Sequence, residues 1–494
     1  MPHADTTQNP KADGRWTALL VLCAGFMMII LDSTIVNVAL PSIQEDLGFT
    51  QSTLAWVVNG YLIAFGGLLL LSGRLGDLIG RRRVFLFGLG LFTAASLACG
   101  LAPSQELLVG ARFVQGIGGA LTSAVILGMI VTMFPEPREQ GKAIGIYSFV
   151  ASAGASIGLL AGGALTQAIS WHWIFFVNVP IGVATALLAL RYVEDDKGIG
   201  LAKGADVLGA LLVTGAVMVG VYTVLEVGDN GWTSLHTLGF GSLALALLAG
   251  FVAREASTGT PLIPLGIFRS RNLSGASLTI VLMVAGMFGM FFLGVLYLQR
   301  ILGLDAIETG LAFLPVSLLI GALSLGVSAR LNLRFGPRAT LLPGLVLVAV
   351  ALAYFSRAPV DGHYVSDVLP VMILLGTGAG LVFPALTTIS MAGVLPGDAG
   401  LASGVVNTSM QVGGAFGLAV LATLATDRTE TLRSHGDSVS SALTGGYQLA
   451  FLVAAGLIGV AILLAAFVLR SDPTIPEREH EPAHLGRELE PEAA

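Results

Sequence analysis

Fourteen stretches of this chain, each some twenty residues long, are almost free of charge; they fall near 16–40, 53–72, 84–102, 106–133, 142–168, 173–191, 206–226, 235–253, 275–298, 308–329, 339–356, 367–392, 401–425 and 447–469. A hydrocarbon core roughly 30 Å thick takes about 20 apolar residues at 1.5 Å each, so each stretch is long enough to cross a bilayer as a helix. Composition agrees. Of 494 residues, 54% are hydrophobic and 11% charged, whereas an ordinary globular domain carries about 25% charged residues. A soluble chain of this length would need more polar surface to cover its core. The 64 glycines fit a membrane too, since Gly is costly in soluble helices but lets membrane helices approach closely. The expected fold class is an all-α integral membrane protein with fourteen transmembrane helices.

Charge placement predicts the orientation. Twenty of the 25 Lys and Arg residues fall in the N-terminal segment, the even-numbered connections and the C-terminal segment; Arg300, Arg357, Arg428 and Arg433 occupy the odd-numbered ones, and Arg112 lies inside a span. The positive-inside rule then places both termini in the cytoplasm. Trp16 falls at the inner edge and Trp56, Trp171, Trp173 and Trp232 at the outer, as an aromatic belt requires. No basic patch for nucleic acid is present. Cys23 and Cys99 both lie in apolar spans and read as small buried hydrophobes.

The chain also repeats itself. Gly141-Lys142-Ala143-Ile144-Gly145, followed by Gly154 and Gly158, matches Gly400-Leu401-Ala402-Ser403-Gly404, followed by Gly413 and Gly417, at a constant offset of 259 residues; Pro137/Pro396 and Glu139/Asp398 keep it. This divides the chain into an N-terminal tail (1–15), a first six-helix half (16–191), an inserted hairpin (206–253), a second six-helix half (275–469) and an acidic tail (470–494). Parallel halves of this kind build transporters whose site lies between them near mid-membrane.

The chemistry available inside the spans is sparse. No GxxxxGK[ST] loop is present to cradle a nucleotide, so energy must come from a gradient. Neither a nucleophile–base set nor a metal-spaced His/Cys/Glu cluster appears in the spans, which disfavours an enzyme, and no charge ring or filter sequence points to a channel. All seven histidines fall in tails, loops or span ends. Asp32 is the one acid well inside a span, with Glu226 at the outer end of helix 7. Counting rise per residue, Asp32 lies roughly 24 Å up helix 1, in the outer half, and Arg112 roughly 9 Å below the outer edge in helix 4. Buried charges cost several kcal/mol unless paired or wet, and by default mark a functional path. Burial favours the neutral acid and a nearby arginine the charged one; a proton carrier needs that balance to change with solvent access. Asn37, Asn59, Gln115, Asn178, Asn407 and Gln411 are further polar groups in apolar spans, available to substrate or as interhelical glue.

Several of these residues fall in motifs. Gly73-Arg74-Leu75-Gly76-Asp77-Leu78-Ile79-Gly80-Arg81-Arg82-Arg83 resembles the loop signature GxLxDxxGRR of the major facilitator superfamily, and Arg112-Phe113-Val114-Gln115-Gly116-Ile117-Gly118-Gly119 resembles its RxxQGxG motif. Leu31-Asp32-Ser33-Thr34-Ile35-Val36-Asn37-Val38-Ala39-Leu40-Pro41 is similar to the helix-1 motif of the fourteen-helix drug:proton antiporters. Gly154-x3-Gly158-x3-Gly162-Gly163 resembles the antiporter motif GxxxGPxxGG, with Leu159 where the proline belongs.

The resemblance implies a proton-coupled multidrug exporter, acting as a monomer in the bacterial inner membrane. It implies drug-like substrates, protons and the bilayer as partners, and no cofactor or metal beyond the proton gradient. Asp32 would then carry the proton, Arg112 tune it, and Gly73, Asp77, Gly80, Arg81 and Arg82 form a cytoplasmic latch holding the halves in one access state. An importer or lipid exporter on the same scaffold is the alternative. The topology has a direct test: cysteine introduced at Ser234 is expected to label with an impermeant reagent from outside, and cysteine at Ser471 is not. The reverse pattern would invert the orientation.

Overall fold

The computed structural model describes residues 10–196, 198, 200, 206–259, 261–262, 265–392 and 399–469. Helical segments occupy all fourteen apolar windows: α1 (Pro10–Leu47), α2 (Gln51–Ile79), α3 (Arg81–Gly100), α4 (Gln105–Met133), α5 (Pro137–Ala168), α6 (Trp173–Tyr192), α7 (Val207–Leu225), α8 (Leu235–Ser257), α9 (Arg271–Arg300), α10 (Ala306–Ala322), α11 (Pro337–Phe355), α12 (Tyr364–Met391), α13 (Ala399–Ser434) and α14 (Val439–Phe467). Eleven of these are long and apolar enough to cross a membrane outright, and α2, taken as one bent span, makes twelve among the described residues. The tenth window is interrupted. Here α10 carries Pro315 and passes through a π turn at Leu323–Val327 into a short helix, Ser328–Phe335. The helix continues past Pro315 to Ala322, so the break falls at the π turn that follows. The C-terminal tail and residues 1–9 lie outside the described residues.

Local signals set the boundaries. Thr50 caps α2 in a reciprocal box with Thr53, Ser104 caps α4, and Asp305 caps α10 in a box with Glu308. Each satisfies amide groups that an open helix start leaves without partners. Between α2 and α3 the chain turns at Gly80 with φ 102°, a conformation that costs glycine little.

Within each half the helices approach closely because glycine lets them. A methyl carbon at Gly116 of α4 would stand 2.4 Å from the Tyr61 carbonyl oxygen of α2, and one at Gly118 would stand 2.5 Å from the Phe92 nitrogen of α3. In α5, Gly154 and Gly158 press on Ile30 and Thr34 of α1. Their repeat counterparts Gly413 and Gly417 press α13 onto Val281 and Ala285 of α9. The internal repeat is therefore a packing device used once in each half.

The halves meet along two seams. In one, Gly66 of α2 faces Gln411 of α13; in the other, Gly163 of α5 faces Ala306 of α10, and Gly310 of α10 faces the Leu159 carbonyl. Helix α1 begins, and α14 ends, at one end of the bundle, here termed proximal; Arg15 there donates to the Met133 carbonyl, and Arg271 to the Phe467 carbonyl. At the opposite, distal end three side-chain bonds join the halves. Gln299 donates to the Val38 carbonyl at 3.0 Å, Gln167 to Asp305 at 2.9 Å, and Arg300 to Gln44. The Glu308 amide chiefly, and then the Gln167 side chain, hold the Asp305 carboxyl below the usual carboxylate range.

The α7–α8 hairpin lies against the first of these seams. Thr214 of α7 abuts Gly67 of α2, Gly220 abuts Phe416 of α13, and Thr423 of α13 donates to the Val224 carbonyl at 3.1 Å. Asp206 caps α7 and binds Arg254 of α8 at 3.2 Å, fastening the hairpin's own base. Leucines 235, 238, 243, 245 and 248 of α8 are exposed, as a lipid-facing surface requires.

The glycine contacts yield a stability prediction. Gly116→Ala and Gly118→Ala are each expected to cost about 1–3 kcal/mol by overpacking. Gly110→Ala, which meets nothing within 4 Å, is expected to cost nothing. Thermal unfolding in detergent separates them.

Candidate functional site

Five helices of the first half converge on one carboxylate. Asp32 of α1 is 0% exposed and Arg112 of α4 1% exposed. The Arg112 Nη1 stands 2.6 Å from Asp32 Oδ2 and 2.7 Å from Gln115 Oε1, and its Nε donates to the Val57 carbonyl of α2 at 3.0 Å. Gln115 Nε2 and Asn178 Nδ2 each donate to Asp32 Oδ1 at 2.8 Å. Behind them, Ser96 Oγ of α3 accepts from Gln115 at 2.6 Å and from Asn178 at 3.3 Å, while the Cys99 thiol reaches Gln115 Oε1 at 3.6 Å. The Tyr61 ring of α2 lies 4.5 Å from the guanidinium carbon, and the Phe175 ring of α6 5.8 Å. Such stacking lowers the cost of holding a guanidinium out of water.

The sequence explains this arrangement. Arg112 and Gln115 are three apart, on one face of α4, so both reach Asp32 together. Gly116 and Gly118 on the following turn bring α2 and α3 close enough to contribute Val57, Tyr61, Ser96 and Cys99. The motif thus divides into two polar residues that build the site and small ones that admit its neighbours. Asn178 joins from just beyond the four-residue helix Trp173–Phe176, where the main part of α6 begins.

Of the other expected site residues, Gln115 and Asn178 are in the cluster and the rest are elsewhere. Asn37 donates to the Ser33 and Thr34 carbonyls of its own helix at 3.2 and 3.4 Å, so its donor is directed back into α1. Gln411 stands at the α2–α13 seam, and Asn407, one turn nearer the proximal end on the same face, is exposed. Glu226 caps the end of α7 at the distal tip of the hairpin, within reach of Asn230 and apart from the Asp32 cluster. Asn59 is fully buried and makes no hydrogen bond to the Asp32 cluster. Ser96, Cys99 and Tyr61 were not anticipated. Ser96 and Cys99 stand three apart in an apolar span, the one signal that could have placed them on a common face.

The latch residues form a second cluster, at the proximal end. Arg81 binds Asp77 at 3.0 Å, the Gly128 carbonyl at 3.0 Å and Thr132 at 2.8 Å. The Asp196 carboxylate accepts from the Arg81 and Arg82 amides at 2.9 and 3.1 Å, capping the start of α3, and Arg82 donates to the Leu190 carbonyl. Gly80 admits the Asp196 backbone oxygen, 2.5 Å from where a side chain would begin. The expected role was to hold the two halves together. These bonds instead tie α2, α3, α4 and the end of α6 to one another, all within the first half.

Removing one partner of a buried ion pair leaves an uncompensated charge, at a cost of about 3–5 kcal/mol. Arg112→Gln is therefore expected to lower stability by that order, and the double variant Asp32→Asn/Arg112→Gln to recover most of it. Equal losses in thermal unfolding of the two proteins would show that the charge is not what Arg112 compensates.

Residues 22–418 match the Major Facilitator Superfamily as a family. The chain is 39% identical over 464 residues to the puromycin resistance protein pur8 of Streptomyces alboniger, covering 92% of each chain. It is 37% identical over 416 residues to the tetracenomycin C resistance and export protein of Streptomyces glaucescens, covering 84% of this chain and 76% of the relative. Its fold resembles that of a bacterial homologue of the human lysosomal transporter Spinster, solved inward-facing and unoccupied, with TM-score 0.68, 17% identity, and coverage of 93% of this chain and 99% of the other. The multi-pass helical fold and the family match agree: the chain is a transporter, not an enzyme, and belongs to the major facilitator superfamily.

Proposed function

We propose that the protein exports amphipathic, drug-like molecules in exchange for protons, by alternating access of a cleft between its halves. The observation that carries this reading is the Asp32–Arg112 pair, fully buried and held by a ring of amide donors. In the first half it is a titratable acid placed inside the bundle, where a proton would be exchanged away from bulk water. A proton on Asp32 would turn one accepting oxygen into a donor. The contact with Arg112 would then lose its charge, and α1 would be freed from α4.

Positive-inside charge placement makes the proximal end cytoplasmic. The three distal bonds between halves would then close the outer side, and the exposed Asn407 would face a cleft open to the cytoplasm. In this reading Asn37, Asn407 and Gln411 are candidates for meeting substrate as the seams move. The Asp77–Arg81 cluster keeps the proximal ends of α2, α3, α4 and α6 moving as one body. Relatives named for puromycin resistance and for tetracenomycin C export support small antibiotics as the substrate class.

In vesicles carrying matched amounts of protein, Asp32→Asn is expected to abolish gradient-driven efflux of a fluorescent cationic dye. Asp32→Glu is expected to keep part of the activity with a shifted pH optimum, because the longer acid still titrates but sits elsewhere among the same donors. Near-normal proton-driven efflux by Asp32→Asn would dismiss Asp32 as the proton carrier and leave a static brace.

A further inference from the structure

Asn59 of α2 is fully buried, and both its amide nitrogen and its amide oxygen lack a hydrogen-bond partner among the described residues. Buried amides are otherwise nearly always satisfied, so an amide orphaned at both atoms calls for a reason. Its position on the helix supplies one. Residues seven apart lie close to two turns apart on the same face, so Asn59 shares its face with Gly66, two turns nearer the proximal end. Gly66 is where α2 meets Gln411 of the second half. Gly60, Tyr61 and Phe65, by contrast, turn toward α4. Asn59 is thus directed at the inter-half seam, in the distal part that is closed here. Opposite this stretch α13 runs Gly413-Gly414-Ala415-Phe416-Gly417-Leu418, with no polar side chain to meet an amide.

We propose that Asn59 sets the access equilibrium by making the distal-closed state less stable. With the distal seam closed neither amide atom meets a protein partner among the described residues; with the seam open, bulk water reaches both. One unpaired buried polar group biases a two-state equilibrium by roughly 5- to 150-fold. The bias favours reopening toward the outside, the step that would release substrate and admit a proton. The proposal rests on the alternating-access reading above and concerns a residue outside the Asp32 cluster.

The test reads the seam directly. Spin labels on cysteines at Glu45 of the first half and Arg357 of the second, both exposed at the distal end, report the opening as a distance distribution; native Cys23 and Cys99 are buried. Asn59→Leu, close in size and without the amide, is expected to raise the closed-to-open ratio about tenfold and to slow efflux. Asn59→Ala is expected to shift it the same way and decides the matter if the Leu variant does not fold. An unchanged ratio in the variant that folds, or a shift toward open, would overturn the proposal. A single distal distance in the unsubstituted protein across pH and substrate conditions would instead overturn alternating access itself.

Discussion

Two opposite charges held 2.6 Å apart with no exposure to solvent make demands on everything around them. In a medium of low polarity the attraction is large but so is the desolvation cost, and the balance is favourable only when the remaining hydrogen-bonding capacity is used. This explains the second ring: Gln115 serves both charges at once, Asn178 and Ser96 complete the carboxylate's surroundings, and the Val57 carbonyl takes the guanidinium Nε. Such a ring requires backbones nearly in contact, hence Gly116 and Gly118. A substitution that separates the helices by a fraction of an ångström would therefore act on the charges as much as on the packing.

The two halves are joined in another way. Their seams are narrow strips of small residues, Gly66 against Gln411 and Gly163 against Ala306, closed at one end by three polar contacts. The hairpin breaks the symmetry between the seams. Through Thr214, Gly220 and Val224, α7 rests on both halves along the α2–α13 seam, while the α5–α10 seam has no comparable cover among the described residues.

Length and apolarity placed helices in every apolar window, and eleven of these, or twelve with α2 as one bent span, are long and apolar enough to cross a membrane among the described residues. They did not reveal the interruption of α10, since a π turn leaves hydropathy untouched. The Asp32–Arg112 pair was legible from depth, as both charges could be counted along rigid helices from known ends. Ser96, Cys99 and Tyr61 were not, because a hydroxyl or thiol in an apolar span is too cheap to stand out. Polarity within a span does not say which way a side chain turns: Asn37 bonds its own backbone and Glu226 caps a helix end. The latch residues were recognisable as a motif, but Asp196, which caps the helix start that carries the arginines, comes from a distant loop that no local pattern connects to them.

The order in which the cluster's members occur along the chain has a consequence for biogenesis. Asp32 enters the membrane with the first helix, Arg112 follows 80 residues later and Asn178 146 residues later. Until then the carboxylate has no partner. An aspartate at a helix centre opposes insertion by about 2.5–3.5 kcal/mol, and each Leu, Ile, Phe or Val offsets about 0.3–0.6. With a mean hydropathy of 2.4 over its best window, α1 carries enough such residues to insert with its acid unaccompanied. Its apolar richness is thus matched to a transient that the finished protein no longer contains, the interval on the ribosome between the first helix and the fourth.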